Sequence, residues 1–130
     1  MSPYRLSGRT IIVVEDHDDA RLAMETLFDR MGATVVTAKD GFEGLEAVKK
    51  HHPNLVVTDL HMPRMDGFDL LREIRALPPD AGGNTPVIAL TALDTRVERA
   101  RILNLGFQAC VQKPCTVENL VETMLSLLDD

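Results

Sequence analysis

The sequence predicts an α/β domain with a five-stranded parallel sheet, doubly wound, and helices on both faces. Three observations carry this. Five short β-branched or apolar runs recur along the chain, and a helical pattern with its own capping residue follows each. The runs are continuously apolar rather than alternating, as expected of strands covered on both sides. The links are short, and strict β/α alternation with short links gives parallel strands joined by right-handed crossovers. About five such units in 130 residues fit the strand order 2-1-3-4-5 of flavodoxin-like sheets.

The expected strands are Thr10 to Glu15, Thr34 to Ala38, Leu55 to Asp59, Pro86 to Thr91 and Ala109 to Lys113. Asp18 or Asp19 is placed to cap the first helix, with Ala20, Met24, Leu27, Phe28 and Met31 inward and Gly32 as its stop. Asp40 caps the second, with Phe42, Leu45 and Val48 inward and Pro53 beyond its end. Asp66 caps the third, with Leu70, Leu71, Ile74 and Leu77 inward and Pro78-Pro79 as the stop. Asp94 or Thr95 starts the fourth, with Val97, Ala100 and Leu103 inward and an end at Gly106. Thr116 caps the fifth, which buries Val117, Leu120, Val121, Met124, Leu127 and Leu128. Glu118, Glu122 and Asp129 mark its outer face, and Leu125 among them is expected to be exposed. The long link Leu77 to Thr85 is Pro- and Gly-rich and reads as a surface loop.

Composition narrows the function classes. Apolar residues make up 45% and charged residues 26%, which is ordinary for a folded domain. The net charge of −6 argues against a bare nucleic-acid binder and against docking on an anionic membrane. No apolar run approaches the ~20 residues of a membrane span, and residues 1–9 carry no signal-peptide core. A cytoplasmic setting follows as an expectation. Cys110 and Cys115 form neither a disulfide scaffold nor a zinc pattern, and read first as small hydrophobes. His51 and His52 read as a solvated helix end, His17 and His61 as scattered, and none as a histidine metal centre.

The strand ends hold the chemistry. In such a sheet the ligand crevice lies beyond the carboxyl ends of the strands. Those ends are Glu15-Asp16, Asp59, Thr91 and Lys113. Three carboxylates cannot sit ionised together in a cleft without a cation. Hard oxygen ligands with places left for water suit Mg²⁺. A lysine and a hydroxyl facing them can receive an anion arriving at Asp59, the layout for phosphoryl transfer to a carboxylate.

The pieces IIVVED, TDLHMPRMDG, VIALTA and VQKP, in this order and spacing, resemble the receiver domain of two-component response regulators. The resemblance covers about Thr10 to Leu128, giving a lead-in over residues 1–9 and a receiver over residues 10–129. It implies that Asp59 is the phosphoacceptor. Asp16 and Asp59 would bind Mg²⁺, with Glu15 assisting through water and the His61 backbone carbonyl as a further ligand. Thr91 would be the switch hydroxyl, Ala92 would leave room for the phosphoryl group, and Lys113 would pair with it. Pro114 matches the family's proline, expected to be cis. Met62-Pro63 and Asp66-Gly67 would shape the loop after the phosphosite.

The sequence departs from the family at Cys110, where an aromatic switch residue is usual, and at Cys115. Leu93 and His61 sit where side chains tune dephosphorylation. An apolar Leu93 cannot orient a water, which implies slow self-dephosphorylation. The implied partners are a histidine kinase or histidine phosphotransfer protein and a downstream protein. The last two helices are the usual partner face, and a weak homodimer through them is one expectation, with Leu125 as its probe.

A phosphoacceptor signalling module, rather than a turnover enzyme, is therefore the leading reading. A degenerate receiver that works unphosphorylated is the alternative, favoured only by Cys110. An aspartyl-phosphate hydrolase needs a second acid two residues after the nucleophile, where His61 stands. There is no G-x-G-x-x-G and no P-loop for a nucleotide. The stretch from Leu6 to Arg9 and the Pro/Gly link look similar to receivers of hybrid kinases, so a stand-alone and an excised receiver both stay open.

Overall fold

The computed structural model describes residues 5–92, 95–113 and 116–128. Five strands, β1 (Thr10–Val14), β2 (Thr34–Ala38), β3 (Leu55–Asp59), β4 (Val87–Thr91) and β5 (Ala109–Gln112), form one sheet. All described pairings are parallel, and the order is β2-β1-β3-β4-β5. The helices are α1 (Asp18–Arg30), α2 (Gly41–His51), α3 (Gly67–Arg75), α4 (Arg96–Asn104) and α5 (Val117–Leu128). The long link carries one 3-10 turn over Pro79–Ala81.

Alternation along the strands divides the core between two faces. Ile12, Val14, Val56, Val87 and Ala89 point to one face, where Leu45, Val48, Leu70, Ile74 and Ile102 of α2, α3 and α4 cover them. Ile11, Val13, Leu55, Val57, Ile88 and Leu90 point to the other, under Phe28 of α1 and Leu120, Val121 and Met124 of α5. Both faces of β1, β3 and β4 are therefore apolar, which is why their runs are continuous. The edge strands β2 and β5 are less covered.

Asp40, Asp66, Thr95 and Thr116 each accept a hydrogen bond from the backbone N–H three residues on, as N-caps do. The first helix differs from expectation. His17, not Asp18 or Asp19, is its N-cap, and it makes no side-chain capping bond.

Several expected faces are corrected. Phe42 is half exposed and Ala47 is buried in its place. On α4, Val97, Ala100 and Leu103 face outward and Ile102 alone of the helix is buried. Ala20 is exposed. Leu125, expected outside, is buried against the α1/α5 side of the sheet. The apolar arc of α5 is wide, and Leu125 sits one turn beyond Val121 on it.

Candidate functional site

The crevice at the carboxyl end of the sheet is built from the ends of β1, β3, β4 and β5. The chain leaves β1 at Glu15, whose N–H donates to the Ala38 carbonyl at 3.0 Å. This register buries the Glu15 side chain almost completely, at 1% exposure. Glu15 is therefore a buried carboxylate and not a solvated strand end. Its carboxylate accepts from the His17 N–H at 3.1 Å. The last residue of β3, Asp59, is buried at 6% exposure.

Lys113 follows β5. Its N–H donates to the Thr91 carbonyl at 2.7 Å, tying the ends of β4 and β5 together. Its Nζ lies 3.1 Å from Asp59 Oδ2 and 3.3 Å from Glu15 Oε1. Burial pulls the ammonium pKa down, but the Asp59 and Glu15 carboxylates outweigh it and hold the pKa above the usual lysine value. Thr91 is buried at the end of β4, and Ala92 after it is exposed. An open groove of about 530 Å³ runs from Glu15 and Lys113 along Ala20, Ala23 and Met24 of α1.

Ligand atoms of Glu15, Asp16, His17 and Asp59 all lie within 4.8 Å of one another. Buried Oδ1 of Asp16 accepts no hydrogen bond from the described residues. A carboxylate oxygen left like this in a cluster of like charges fits a cation, and oxygen donors of this kind fit a hard divalent one. The acidic cluster thus has the chemistry of a metal site.

Sequence reasoning missed one member. In the sequence His17 reads as one of the scattered histidines, yet its Nδ1 lies 3.1 Å from Glu15 Oε2 and 3.4 Å from Asp16 Oδ1. The hydrogen bond to Glu15, then the charges of Asp16 and Glu15, raise its pKa above the ordinary imidazole value. Adjacency to Glu15-Asp16 at a strand end was the only sequence signal.

The loop after Asp59 is fastened at several points. The Gly67 N–H donates to the Leu60 carbonyl at 3.0 Å, and the Gly41 N–H donates to the Met65 carbonyl at 2.9 Å. A Cβ on Gly67 would collide with the Asp59 carbonyl oxygen and stand 2.9 Å from Leu60 Cα. Only glycine permits that approach. Arg64, at φ 66°, pairs with the buried Asp40 carboxylate, and its guanidinium lies 5.6 Å from the centre of the Phe42 ring. The ring of His61 is exposed and meets Phe68 edge-on at 6.4 Å.

Cys110 is buried in β5, and its carbonyl accepts from Arg99 Nη1 at 3.1 Å. Buried Leu125 is removed from the exposed partner face assigned to it. Leu93, Pro114 and Cys115 lie outside the described residues.

Carboxylates from two strand ends, with a lysine bridging them, at the head of a 2-1-3-4-5 sheet, define the receiver class of phosphorelay modules. The chain belongs to the response regulator receiver domain family, whose model matches residues 11–125. It is similar to the Regulator of RpoS of Escherichia coli (strain K12), with 35% identity over 120 residues, covering 92% of this chain and 34% of that protein. It is also similar to the Sensor histidine kinase RcsC of the same organism, with 35% identity over 114 residues, covering 88% of this chain and 12% of that protein. The chain therefore spans only a minor part of these relatives' length. Among solved structures it resembles the receiver domain of sensor histidine kinase PA1611 from Pseudomonas aeruginosa PAO1, which has a magnesium ion coordinated in its active-site cleft. That match has a TM-score of 0.84 at 26% identity and covers 95% of this chain and 100% of that one. No helix among the described residues is long and apolar enough to cross a membrane.

Proposed function

We propose that this receiver domain accepts a phosphoryl group on Asp59 from a phosphohistidine of a histidine kinase or phosphotransfer protein. The observation that carries the reading is the Lys113 ammonium shared between Asp59 and Glu15, beside an acidic cluster that fits a divalent cation. An Asp59 oxygen attacks phosphorus, the phosphorus–nitrogen bond breaks with its electron pair going to nitrogen, and the donor imidazole, already protonated on its other ring nitrogen, leaves neutral. Glu15, Asp16, Asp59 and the His61 carbonyl are the residues that would hold Mg²⁺, which when bound neutralises charge on the transferring group. Lys113 balances the charge of Asp59 beforehand and moves onto a phosphoryl oxygen afterwards. The buried Thr91 hydroxyl, at the end of the neighbouring strand, turns to another oxygen, and Ala92 leaves space beside it. The groove along Ala20, Ala23 and Met24 ends at Lys113, which pairs with Asp59, and would receive the donor imidazole.

The product adds charge to a packed strand end, a local change that a protein partner can read. The site turns over no separate substrate, and the phosphate is lost slowly because Leu93 cannot orient a water. The alternative, a receiver that works unphosphorylated, is supported only by Cys110 at the usual aromatic position.

The test is intact mass after incubation with Mg²⁺ and acetyl phosphate or phosphoramidate. A single phosphoryl adduct is expected, absent in Asp59→Asn and in EDTA. No adduct with either donor would overturn the phosphoacceptor reading in favour of the alternative.

A further inference from the structure

We propose that His17 gives the acidic cluster an imidazole nitrogen ligand, so that this site prefers first-row transition dications such as Mn²⁺ over Mg²⁺ more strongly than its carboxylates alone would. The inference rests on the metal site put forward above and extends it to a residue that reading does not use.

Three features of the chain support it. The His17 ring presents Nδ1, not its distal nitrogen, to Glu15 and Asp16. It does so because His17 is the N-cap of α1, with φ −82° and ψ 119°, and its N–H is anchored on Glu15 Oε2. Ring and backbone therefore approach the same carboxylate from one residue. The second feature is Asp16 Oδ1, buried without a hydrogen bond from the described residues and 3.4 Å from Nδ1. An ion held by Asp16 through this oxygen would lie within reach of the ring. The third is spacing. Opposed ligands about 2.1 Å from an ion stand about 4.2 Å apart. The four donors here lie within 4.8 Å of one another, so only a small closure is needed.

The chemistry then sets the selectivity. Mg²⁺ demands oxygen ligands and keeps several waters, whereas imidazole suits first-row transition ions. A nitrogen donor adds little for Mg²⁺ and considerably more for Mn²⁺ or its heavier neighbours. The competing role for His17 is that of a counter-charge on Glu15, displaced when any dication arrives.

Electron spin-echo envelope modulation on Mn²⁺ bound to the tag-free full chain separates the two roles. Modulation from a directly bound ¹⁴N is expected. It should vanish in His17→Ala and in His17→Asn, and persist in His61→Ala. His17→Asn keeps a short polar side chain at the helix N-cap, and circular dichroism verifies its fold. Calorimetric titration with each ion should show the Mn²⁺-over-Mg²⁺ affinity ratio falling by about tenfold or more in both His17 variants, since even outer-shell partners of a metal are worth 10–100-fold. Wild type without ¹⁴N modulation, or modulation retained in both His17 variants, overturns the proposal. The phosphoryl-adduct assay has a separate readout. Loss of the adduct with nitrogen modulation intact would refute the phosphoacceptor reading alone, and the reverse result would refute the histidine ligand alone.

Discussion

Asp59→Asn should make the metal-free protein more stable while abolishing its phosphoryl adduct. The magnitude follows from the site's geometry. Carboxylate oxygens of Glu15, Asp16 and Asp59 lie within 4.8 Å of one another. At an effective dielectric of about 20, unit charges at that separation repel by about 3.5 kcal/mol. Asp59 takes part in two such repulsions. Against them stands one attraction, to Lys113 Nζ at 3.1 Å, worth about 5 kcal/mol on the same scale. Repulsion therefore exceeds attraction by about 1.5 kcal/mol. Lys113 is 32% exposed and Asp16 26%, so solvent screens the attraction and one of the repulsions alike. Neutralising Asp59 leaves Lys113 paired with Glu15 at 3.3 Å, so no charge is orphaned.

For a chain of this length about 1.5 kcal/mol corresponds to about 5 °C in Tm. The assay is calorimetric unfolding of wild type and Asp59→Asn in EDTA and then in Mg²⁺. In EDTA the variant should melt higher. With Mg²⁺ at ten times its dissociation constant, wild type gains about 1.4 kcal/mol by mass action, and the gap closes. An equal or lower Tm for Asp59→Asn in EDTA would refute the claim that like-charge repulsion dominates the cleft.

Other perturbations report on what surrounds the site. Gly67→Ala should cost about 2–3 kcal/mol, because its Cβ meets the Asp59 carbonyl and Leu60 Cα rather than movable side-chain ends; a urea midpoint within error of wild type would contradict the close packing. Burial pushes the Asp40 carboxyl up, but the Glu43 N–H, Arg64 and the Phe42 N–H outweigh it and hold it below the usual aspartate value. A lowered folded pKa adds stability that is present above the unfolded value and lost as pH falls through the folded one. Asp40→Asn keeps one capping oxygen for the Glu43 N–H but loses the hydrogen bond and ion pair with exposed Arg64, so at neutral pH it should cost about 1–2 kcal/mol. The difference from wild type should shrink below about pH 4; one that grows in acid would reverse the assignment. Arg75 donates to the Gly83, Thr85 and Gly106 carbonyls and to Gln108 Oε1, while burial lowers its pKa. Arg75→Met should cost about 2 kcal/mol by leaving these half-buried acceptors to water; a loss under about 0.5 kcal/mol would show that they rehydrate freely.

What the sequence revealed depended on whether a short-range rule determined the outcome. Asp40, Asp66, Thr95 and Thr116 were legible because a side-chain oxygen and an N–H three residues later are local partners. The strand ends were legible because parallel topology alone gathers Glu15, Asp59, Thr91 and Lys113. The faces of α4 were not. Val97, Ala100 and Leu103 repeat as regularly as a core stripe, but Arg75 and Arg99 bind the carbonyls of Gly106 and Cys110, and the helix settles with Ile102 inward. Phe42 misled for a related reason: Arg64, distant in sequence, covers its ring from outside. Leu125 was assigned by its acidic neighbours, although Val121 one turn earlier already marked its face. The role of His17 is not legible in the sequence because its ring direction is set by the backbone of the N-cap.

These cases bear on how Asp59 is held. A carboxylate at a strand end is fixed on one side by the sheet and on the other by whatever the following loop does. Here that loop relies on more than its own turn residues. Its Met65 carbonyl takes the Gly41 N–H at the start of α2, where a Cβ would stand 2.7 Å from the same carbonyl oxygen. Arg64 reaches across to Asp40, which already caps α2 through Glu43. The Glu43 carboxylate in turn accepts from the Lys39 N–H at 2.9 Å. The start of α2 thus serves as a clamp on the loop, and β2, which leads into it, is paired with β1 beside Glu15. Both carboxylate-bearing strand ends are in this way referred to the same edge of the sheet. The spacing of Asp59 and Glu15 is thereby set by backbone contacts as well as by the ammonium between them, which the phosphoacceptor role proposed above would require if Lys113 moved to an incoming group.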